Sequence, residues 1–284
     1  MLKIIEKTKI WFAISIVLIV IGMGSLFVNG LNFGIDFNGG TVVTIEMGEK
    51  IIPETKSEID TIIQKYDKNA TSNTSNETQI EIKSNSLDEN TTNDLFEEIK
   101  TAYNLEDADL LSQSNVGPAV GKELKSKALK ALVIAVLAML AYIAIRFEFK
   151  FGIAAVIALL HDILITLGVY ALFRVPLNTP FIAAMLTILG YSINDTIVIF
   201  DRIRENTKNM KGKSITEVTN ISVTQTMSRS INTVLTTLIT IVSVYIFVPA
   251  VRDFTFPLIV GILSGAYSSI FIASPVWVLL KKQK

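Results

Sequence analysis

Hydrophobic positions gather into six long runs along this chain, and polar positions gather into one long segment after the first run. The runs cover about 10–28, 129–145, 151–173, 181–200, 228–248 and 256–280. A helix needs about 20 mostly apolar residues to cross roughly 30 Å of hydrocarbon. The pattern therefore predicts six transmembrane helices, with one hydrophilic segment between the first two.

The hydrophilic segment, residues 31–128, carries its own periodicities. Alternation predicts strands, a Pro near a first turn and a Ser–Glu cap predict helices, and an Asn/Ser/Thr-rich tract predicts a loop. In chain order these are strand 41–47, helix 53–66, loop 67–78, strand 79–83, a helix capped by Ser86 and Glu89 that runs to Tyr103, and a strand within 108–113. This order favours a small α+β domain with helices on one face of a sheet.

We therefore predict a membrane α-helical protein with three parts. Residues 1–30 form the first transmembrane helix, 31–128 an extracytoplasmic α+β domain, and 129–284 a five-helix transmembrane region. The first apolar run lacks a convincing small-residue cleavage site, which predicts an uncleaved anchor.

Composition and charge sharpen this assignment. The mean hydropathy is +0.48 and half of the residues are hydrophobic, as expected for an integral membrane protein. The net charge is zero, but residues 31–128 hold 18 Asp and Glu against 9 Lys and Arg. If the six runs cross the membrane in alternating directions, the segments on the side opposite to 31–128 are rich in Lys and Arg, at 1–9, 146–150, 202–229 and 281–284. The short turns on the same side as 31–128 hold only Arg174 and Arg252. The positive-inside rule then places both termini in the cytoplasm and the acidic domain outside.

Several chemistries are disfavoured by what the sequence contains. There is no cysteine and only one histidine, His161, which argues against a metal site. The hydrophilic segment has no P-loop and no nucleophile elbow, so we expect neither an enzyme nor a nucleic-acid-binding protein. We expect no cofactor.

The fourth run ends in GYSINDTIVIFDRIREN, residues 190–206, which places polar residues inside an apolar helix. Asp195 lies within it, beside Tyr191 and Asn194, and Asp201 and Arg202 mark its polar end. A carboxylate in a membrane helix costs a few kcal/mol unless it faces a bundle interior or a wet cavity. One interpretation is a structural hydrogen bond between helices. We prefer a protonatable carboxylate on an ion path.

Two further polar features lie in the third and fifth runs. His161 and Asp162 form a second titratable pair, which is either a neutral histidine bonded to a protonated aspartate or an accessory proton carrier. Helical spacing aligns five polar residues of the fifth run, which favours an interior or wet face. These are Arg229, Thr233, Thr236, Thr240 and Ser243. Six helices alone would leave this stripe, Asp162 and Asp195 exposed, so we expect a second, similar half.

Three motifs together resemble the SecF family of protein-export membrane subunits. They are FGIDFNGGT (33–41), VGPAVGKEL (116–124) and the fourth-run motif. The resemblance covers essentially the full length and implies membership of the resistance-nodulation-division superfamily, whose members use proton flux to drive motions outside the membrane. It also implies a partner, SecD, and work beside the SecYEG channel and SecA on translocating preproteins in a prokaryotic cytoplasmic membrane.

The resemblance also carries over site residues. The family's membrane carboxylate falls on Asp195 and its fifth-helix arginine on Arg229, with Asn194 and Tyr191 beside them, and the coupling ion is H⁺ or Na⁺. The accessory candidates are His161, Asp162, Asp201 and Arg202. Two alternatives remain: half of a proton-driven small-molecule or lipid exporter, and an assembly scaffold whose polar membrane residues only pack.

Overall fold

The computed structural model describes residues 2–248 and 251–282, and within them six helices are long and apolar enough to cross a membrane. The first five are α1 (Thr8–Asn29), α5 (Pro118–Arg146), α6 (Phe149–Leu172), α7 (Thr179–Asn209) and α8 (Ile215–Phe247). The sixth consists of α9 (Arg252–Ser268), a π-helical turn (Ser269–Ala273) and α10 (Ser274–Lys282). The predicted six-helix pattern is confirmed, and the basic residue Lys284 lies outside the described residues.

The fourth and fifth helices extend well beyond their predicted apolar runs, 181–200 and 228–248. α7 continues to Asn209, and α8 begins at Ile215 after Ser214, whose Oγ accepts from the backbone N–H of Glu217 at 3.2 Å. A hydropathy pattern marks the end of an apolar run at the first charged residues. The helix itself continues into water when the polar residues that follow favour helix and one face stays buried. α5 likewise begins well before the predicted start at 129.

A four-stranded antiparallel sheet with strand order β2-β3-β1-β4 follows α1 in the chain. Its strands are β1 (Gly40–Glu46), β2 (Thr71–Ser75), β3 (Gln79–Ser84) and β4 (Leu110–Val116). Helices α3 (Pro53–Tyr66) and α4 (Glu89–Tyr103) supply the other half of its core, packing Ile59, Ile63 and Leu95 against Ile45, Ile80 and Ile82. We refer to this unit as the α+β domain.

Two details of this domain differ from the sequence prediction. The tract 67–78 is not a loop, because β2 pairs with β3 as a hairpin closed by positive-φ residues Asn76 and Glu77. β2 is an edge strand of Thr, Ser and Asn, so it lacks the hydrophobic alternation that would reveal it. The cap of α4 is Asp88, paired reciprocally with Thr91, and not the predicted pair Ser86 and Glu89.

α6, α7 and α9 form the centre of the membrane-spanning region. About half of each apolar window is buried in these helices (44%, 50% and, with α10, 61%), against 11% in each of α1, α5 and α8. Close approach depends on glycine: a Cβ on Gly168 of α6 would lie 2.8 Å from Gly22 Cα of α1. A Cβ on Gly265 of α9 would likewise lie 2.8 Å from Ser192 Cβ of α7, so α9 and α7 are in close contact there.

A short turn connects the membrane helices to the α+β domain. α2 (Ile35–Asn38) is a single helical turn, and Gly39 and Gly40 follow it with φ of 84° and 144°. Only glycine adopts these angles without strain, and a Cβ on Gly40 would lie 2.3 Å from the Ser84 carbonyl oxygen. Gly39 and Gly40 therefore form the tight turn that begins β1.

We predict that Asp67 holds the loop before α4. Burial acts to raise its pKa, but hydrogen bonds from Ser84 Oγ (2.5 Å) and Asn69 N–H (2.9 Å) outweigh it and hold the pKa below its usual value. Ser84 Oγ in turn accepts from the backbone N–H of Ser86 and Leu87. Because the pKa of Asp67 is lower in the folded protein than in the unfolded chain (about 3.9), its ionised form stabilises the fold at pH values above the unfolded pKa. This stabilisation is lost as the pH falls through the folded pKa.

Asp67→Asn should therefore weaken protection of the Ser86 and Leu87 amides against hydrogen exchange in the full chain near pH 7, by about 1–3 kcal/mol. The exposed Asp94→Asn is the matched control and should leave it unchanged. Equal protection in wild type and Asp67→Asn would contradict the assignment.

Candidate functional site

Asp195 lies on the face of α7 that packs against α8. Ser230 Oγ of α8 donates to Asp195 Oδ1 at 2.6 Å, and the residue is 8% exposed. The other oxygen, Oδ2, is buried and has no hydrogen-bond partner among the described residues. An ionised carboxylate offers about four acceptor sites. The carboxylate is therefore buried with most of its hydrogen-bonding capacity unused.

Arg229 comes directly before Ser230, the residue that donates to Asp195. Its side chain is exposed, and within the described residues it forms neither a hydrogen bond nor an ion pair. Asp195 and Arg229 therefore lie on facing helices, and the residue that contacts Asp195 directly is Ser230, the neighbour of Arg229.

The other predicted residues of α7 lie around this centre without bonding to it. Tyr191 OH accepts from Thr237 Oγ1 of α8 at 3.3 Å, and Asn194 faces outward. Asp201 accepts from Arg204 (2.7 Å), and Arg202 pairs with Glu205 (3.1 Å). These two ion pairs lie roughly 9 Å further along the helix axis. The structure therefore does not bring Asp201 or Arg202 to the carboxylate.

Asp162 of α6 has the opposite environment to Asp195. It is fully buried, and Oδ2 accepts from Ser192 Oγ of α7 (2.6 Å) and Ser268 Oγ of α9 (2.7 Å). Oδ1 accepts from Ser264 Oγ of α9 (2.7 Å) and lies 3.0 Å from His161 Nδ1. Three serine hydroxyls and one histidine nitrogen therefore surround the two oxygens of this carboxylate.

This geometry bears on the two sequence-based interpretations of the pair. His161 Nε2 lies 3.1 Å from Ser15 Oγ of α1, so both ring nitrogens are engaged. His161 Nδ1 donates to an ionised Asp162, or accepts from a protonated Asp162 when the ring proton is on Nε2, so this geometry is compatible with both interpretations. The network joins α1, α6, α7 and α9 through one carboxylate.

The expected exposure of both carboxylates is wrong, because Asp162 is 0% and Asp195 8% exposed within this single chain. Serines of neighbouring helices cover them. The polar stripe of α8 is exposed, as the sequence predicted for the six helices alone. Its Thr233, Thr236, Thr240 and Ser243 hydroxyls donate to backbone carbonyls one turn earlier, which removes the cost of placing them in an apolar environment.

Sequence reasoning missed the serines that bond to the two carboxylates. The predicted site residues did not include Ser192, Ser230, Ser264 or Ser268. The available signal was the i, i+4 spacing of Ser264 and Ser268, which puts two hydroxyls on one helix face. Which carboxylate they meet depends on tertiary packing.

The turn 33–41 also contacts the helix that carries Asp195. Asp36 Oδ2 accepts from the backbone N–H of Thr179, the first residue of α7, at 2.7 Å. Phe33 forms a parallel bridge with Leu177, and Gly34 N–H donates to the Leu177 carbonyl at 2.9 Å. A carboxylate at a helix N-terminus satisfies an unpaired N–H and interacts favourably with the helix dipole. The turn therefore connects α7 to β1.

Comparison with known families gives two matches. The model of the SecD/SecF GG motif matches residues 24–50, and that of the C-terminal part of the protein export membrane protein SecD/SecF matches residues 96–283. The first contains the turn 33–41, and the second contains Asp162, Asp195 and Arg229. Together they include every site described above except Ser15.

Among curated proteins, protein translocase subunit SecF of Sebaldella termitidis is 39% identical over all of this chain and 93% of its own length. SecF of Desulfurispirillum indicum is 41% identical over 92% of this chain and 86% of its own length. SecDF of Bacillus subtilis is 36% identical over 97% of this chain, which covers 38% of that protein.

The crystal structure of SecDF from Thermus thermophilus, described as a translocon-associated membrane protein, is similar to the whole of this chain. The TM-score is 0.84 at 34% identity, and this chain covers 39% of the SecDF chain. A SecDF crystal structure in a super-membrane-facing form gives a TM-score of 0.76 at 33% identity over 99% of this chain, again covering 39% of that chain. The chain belongs to the SecD/SecF protein-export family, as a SecF protein translocase subunit.

Proposed function

We propose that this chain pairs with SecD and that the pair uses a proton or sodium gradient to promote preprotein export by the Sec translocase. The observation that carries the proposal is the half-satisfied Asp195 beside the unpaired Arg229. A buried carboxylate with spare acceptor capacity can take up a proton or a small cation, and a nearby guanidinium can replace either one. The assembly scaffold alternative does not require such a carboxylate, because a packing residue is best fully hydrogen-bonded, as Asp162 is.

A binding event at Asp195 is large enough to drive a conformational change. An elementary charge crossing a potential of 100 mV releases about 2.3 kcal/mol. This shifts a two-state equilibrium roughly fiftyfold. The two states in this proposal differ in whether Arg229 is close to Asp195 or an ion has taken its place.

The pairing with SecD is supported by an exposed polar face. α7 exposes small and polar residues at helical spacing, Ala183, Thr187, Gly190 and Asn194, and the polar stripe of α8 lies on the next helix. Small residues let membrane helices approach closely, and hydroxyls bond across such contacts. A relative that joins SecD and SecF in one chain, SecDF of Bacillus subtilis, is consistent with a second half on this face.

The positive-inside distribution supports cytoplasmic termini and an α+β domain outside the cytoplasmic membrane. β4 is an edge strand whose central residues are exposed, so it offers unpaired backbone groups to a partner. We propose that this domain works on emerging preprotein, beside the SecYEG channel and the ATPase SecA.

The topology predicts opposite labelling of two positions. Asn73 is exposed in the α+β domain, and Lys211 is exposed between α7 and α8. In intact cells, cysteine at Asn73 should react with a membrane-impermeant maleimide, and cysteine at Lys211 should react only after the cells are opened. Reaction of both positions from the same side would contradict the topology.

The coupling predicts that Asp195→Asn and Arg229→Met each abolish the gradient-dependent part of preprotein export in vesicles while SecD still co-purifies. The double variant should be no worse than either single variant, because both residues belong to one device. Asp201→Asn, which breaks the surface ion pairs of Asp201 with Arg204 and Arg146, is the matched control and should retain most stimulation. Additive partial losses would mean that Asp195 and Arg229 act separately.

The contact of Asp36 with α7 predicts a variant that separates ion binding from export. Asp36→Ala removes the acceptor at the start of α7, which typically costs about 1 kcal/mol. Stimulation of export by the gradient should fall, whereas modification of Asp195 by a carbodiimide should persist. Asp36→Asn keeps an acceptor oxygen and should behave like wild type. Loss of both activities in Asp36→Ala would show instead that the site itself had been disrupted.

A further inference from the structure

An apolar crevice of about 540 Å³ lies between α5 on one side and α6 and α7 on the other. Its walls include Leu132 and Val136 of α5, Ile163 and Leu167 of α6, and Met185 and Leu189 of α7. Phe33 and Phe37 of the turn 33–41 line it as well, and Lys125 is the charged residue among the lining residues. The crevice is separate from Asp195, which faces α8.

Contacts at both ends of α5 hold the crevice open. At one end, a Cβ on Gly121 would lie 2.7 Å from the carbonyl oxygen of Phe37, so α5 rests directly on the α2 turn. At the other end, Ile143 is buried in the same core as Phe151 and Phe200. Between these contacts α5 leaves Val133 and Leu137 about half exposed (48% and 59%). The crevice therefore lies along the middle of α5, between the two contacts that hold the ends of this helix.

Lys125 lies at the mouth of the crevice. Its Nζ is 4.0 Å from the centre of the Phe33 ring and 2.9 Å from Asn38 Oδ1. No carboxylate among the described residues pairs with it, whereas the neighbouring Lys127 pairs with Glu123 at 2.8 Å. The first turns of α5 are therefore positively charged where the helix meets the apolar region, and the Lys125 ammonium lies at the mouth of the crevice.

We propose that this crevice binds an anionic glycerophospholipid, with one acyl chain between α5 and α7 and its phosphate bonded to Lys125. The walls match a hydrocarbon chain, and the volume is within the usual range of about 300–1,000 Å³ for small-molecule sites. A lysine at the membrane boundary extends its ammonium to the headgroup level and favours anionic lipid. Phe33, Phe37 and Asn38 of the turn 33–41 then shape the headgroup end.

A partner helix fits this crevice less well than a lipid chain. A helix with side chains is roughly 10 Å wide, so ~540 Å³ would hold only about 7 Å of its length. Helix contacts in membranes favour small residues, and the crevice is lined mainly by large branched and aromatic ones. The small and polar face of α7 and α8 is elsewhere on the chain.

The test uses the full chain with its co-purified membrane partner in phosphatidylcholine vesicles. Each vesicle preparation contains one of two lipid probes, a phosphatidylglycerol or a phosphatidylcholine, and both probes carry a photoreactive diazirine in the middle of one acyl chain. Labelled peptides are identified by mass spectrometry. We expect labelling of 132–136 and 185–189 to be about fivefold stronger from phosphatidylglycerol. Lys125→Ala should bring the ratio close to one, and the exposed Lys130→Ala should leave it unchanged.

A second pair of variants tests the acyl-chain site. Val133→Trp fills the crevice and should lower labelling of 185–189 at least fivefold, whereas Ile134→Trp, on the next and more exposed position, should not. Equal labelling by both lipids, unaffected by Lys125→Ala, would overturn the proposal and mean bulk lipid only. Absence of lipid labelling together with a disulfide between Val133→Cys and the partner would also overturn it, in favour of a partner helix.

Discussion

The cost of placing a carboxylate in hydrocarbon explains much of this structure. Asp162 and Asp195 lie in neighbouring central helices, and each must be hydrogen-bonded or paired to be tolerated there. Asp162 has four polar partners, three serines of α7 and α9 and the side chain of His161. Asp195 has one, Ser230. The first arrangement locks helices together, and the second leaves a carboxylate able to exchange partners.

Glycine makes the locked arrangement possible. Ser264 and Ser268 reach Asp162 because Gly261 and Gly265 allow α9 to rest on Ile188 and Ser192 of α7. The hydroxyls of Thr196 and Ser269, 2.8 Å apart, extend the same contact by one turn. α8 is outside this network and is far less buried than α7 or α9.

The sequence was most informative where one residue or period determines the result. Helix α3 was predicted at its observed bounds because Pro53 and the spacing of Ile59 and Ile63 act locally. The tight turn followed from Gly39 and Gly40. β2 was missed because an edge strand needs no hydrophobic face. The helical extensions of α7 and α8 were missed because hydropathy detects the membrane boundary and not the end of a helix.

In the candidate site, too, some residues could be identified from sequence and others could not. Asp195, Arg229 and Asp162 could be selected from sequence because a charge in an apolar run is conspicuous. Their serine partners could not, since hydroxyls are common in membrane helices and mostly bond to their own helix, as Thr233 and Ser243 do here. Whether a carboxylate is saturated or half-satisfied depends on which helix face lies opposite, and that is set by packing over the whole bundle.

The turn 33–41 connects the helix that carries Asp195 to the rest of the molecule. Asp36 bonds to the first residue of α7, Phe37 supports α5 through Gly121, and Gly40 begins β1. No flexible linker separates these three contacts, because the turn is one helical turn and two glycines with fixed positive φ. A displacement of α7 relative to α5 must therefore act on the first strand of the α+β domain. This short series of contacts is a physical reason for a movement of α7, the helix that carries Asp195, to displace the α+β domain.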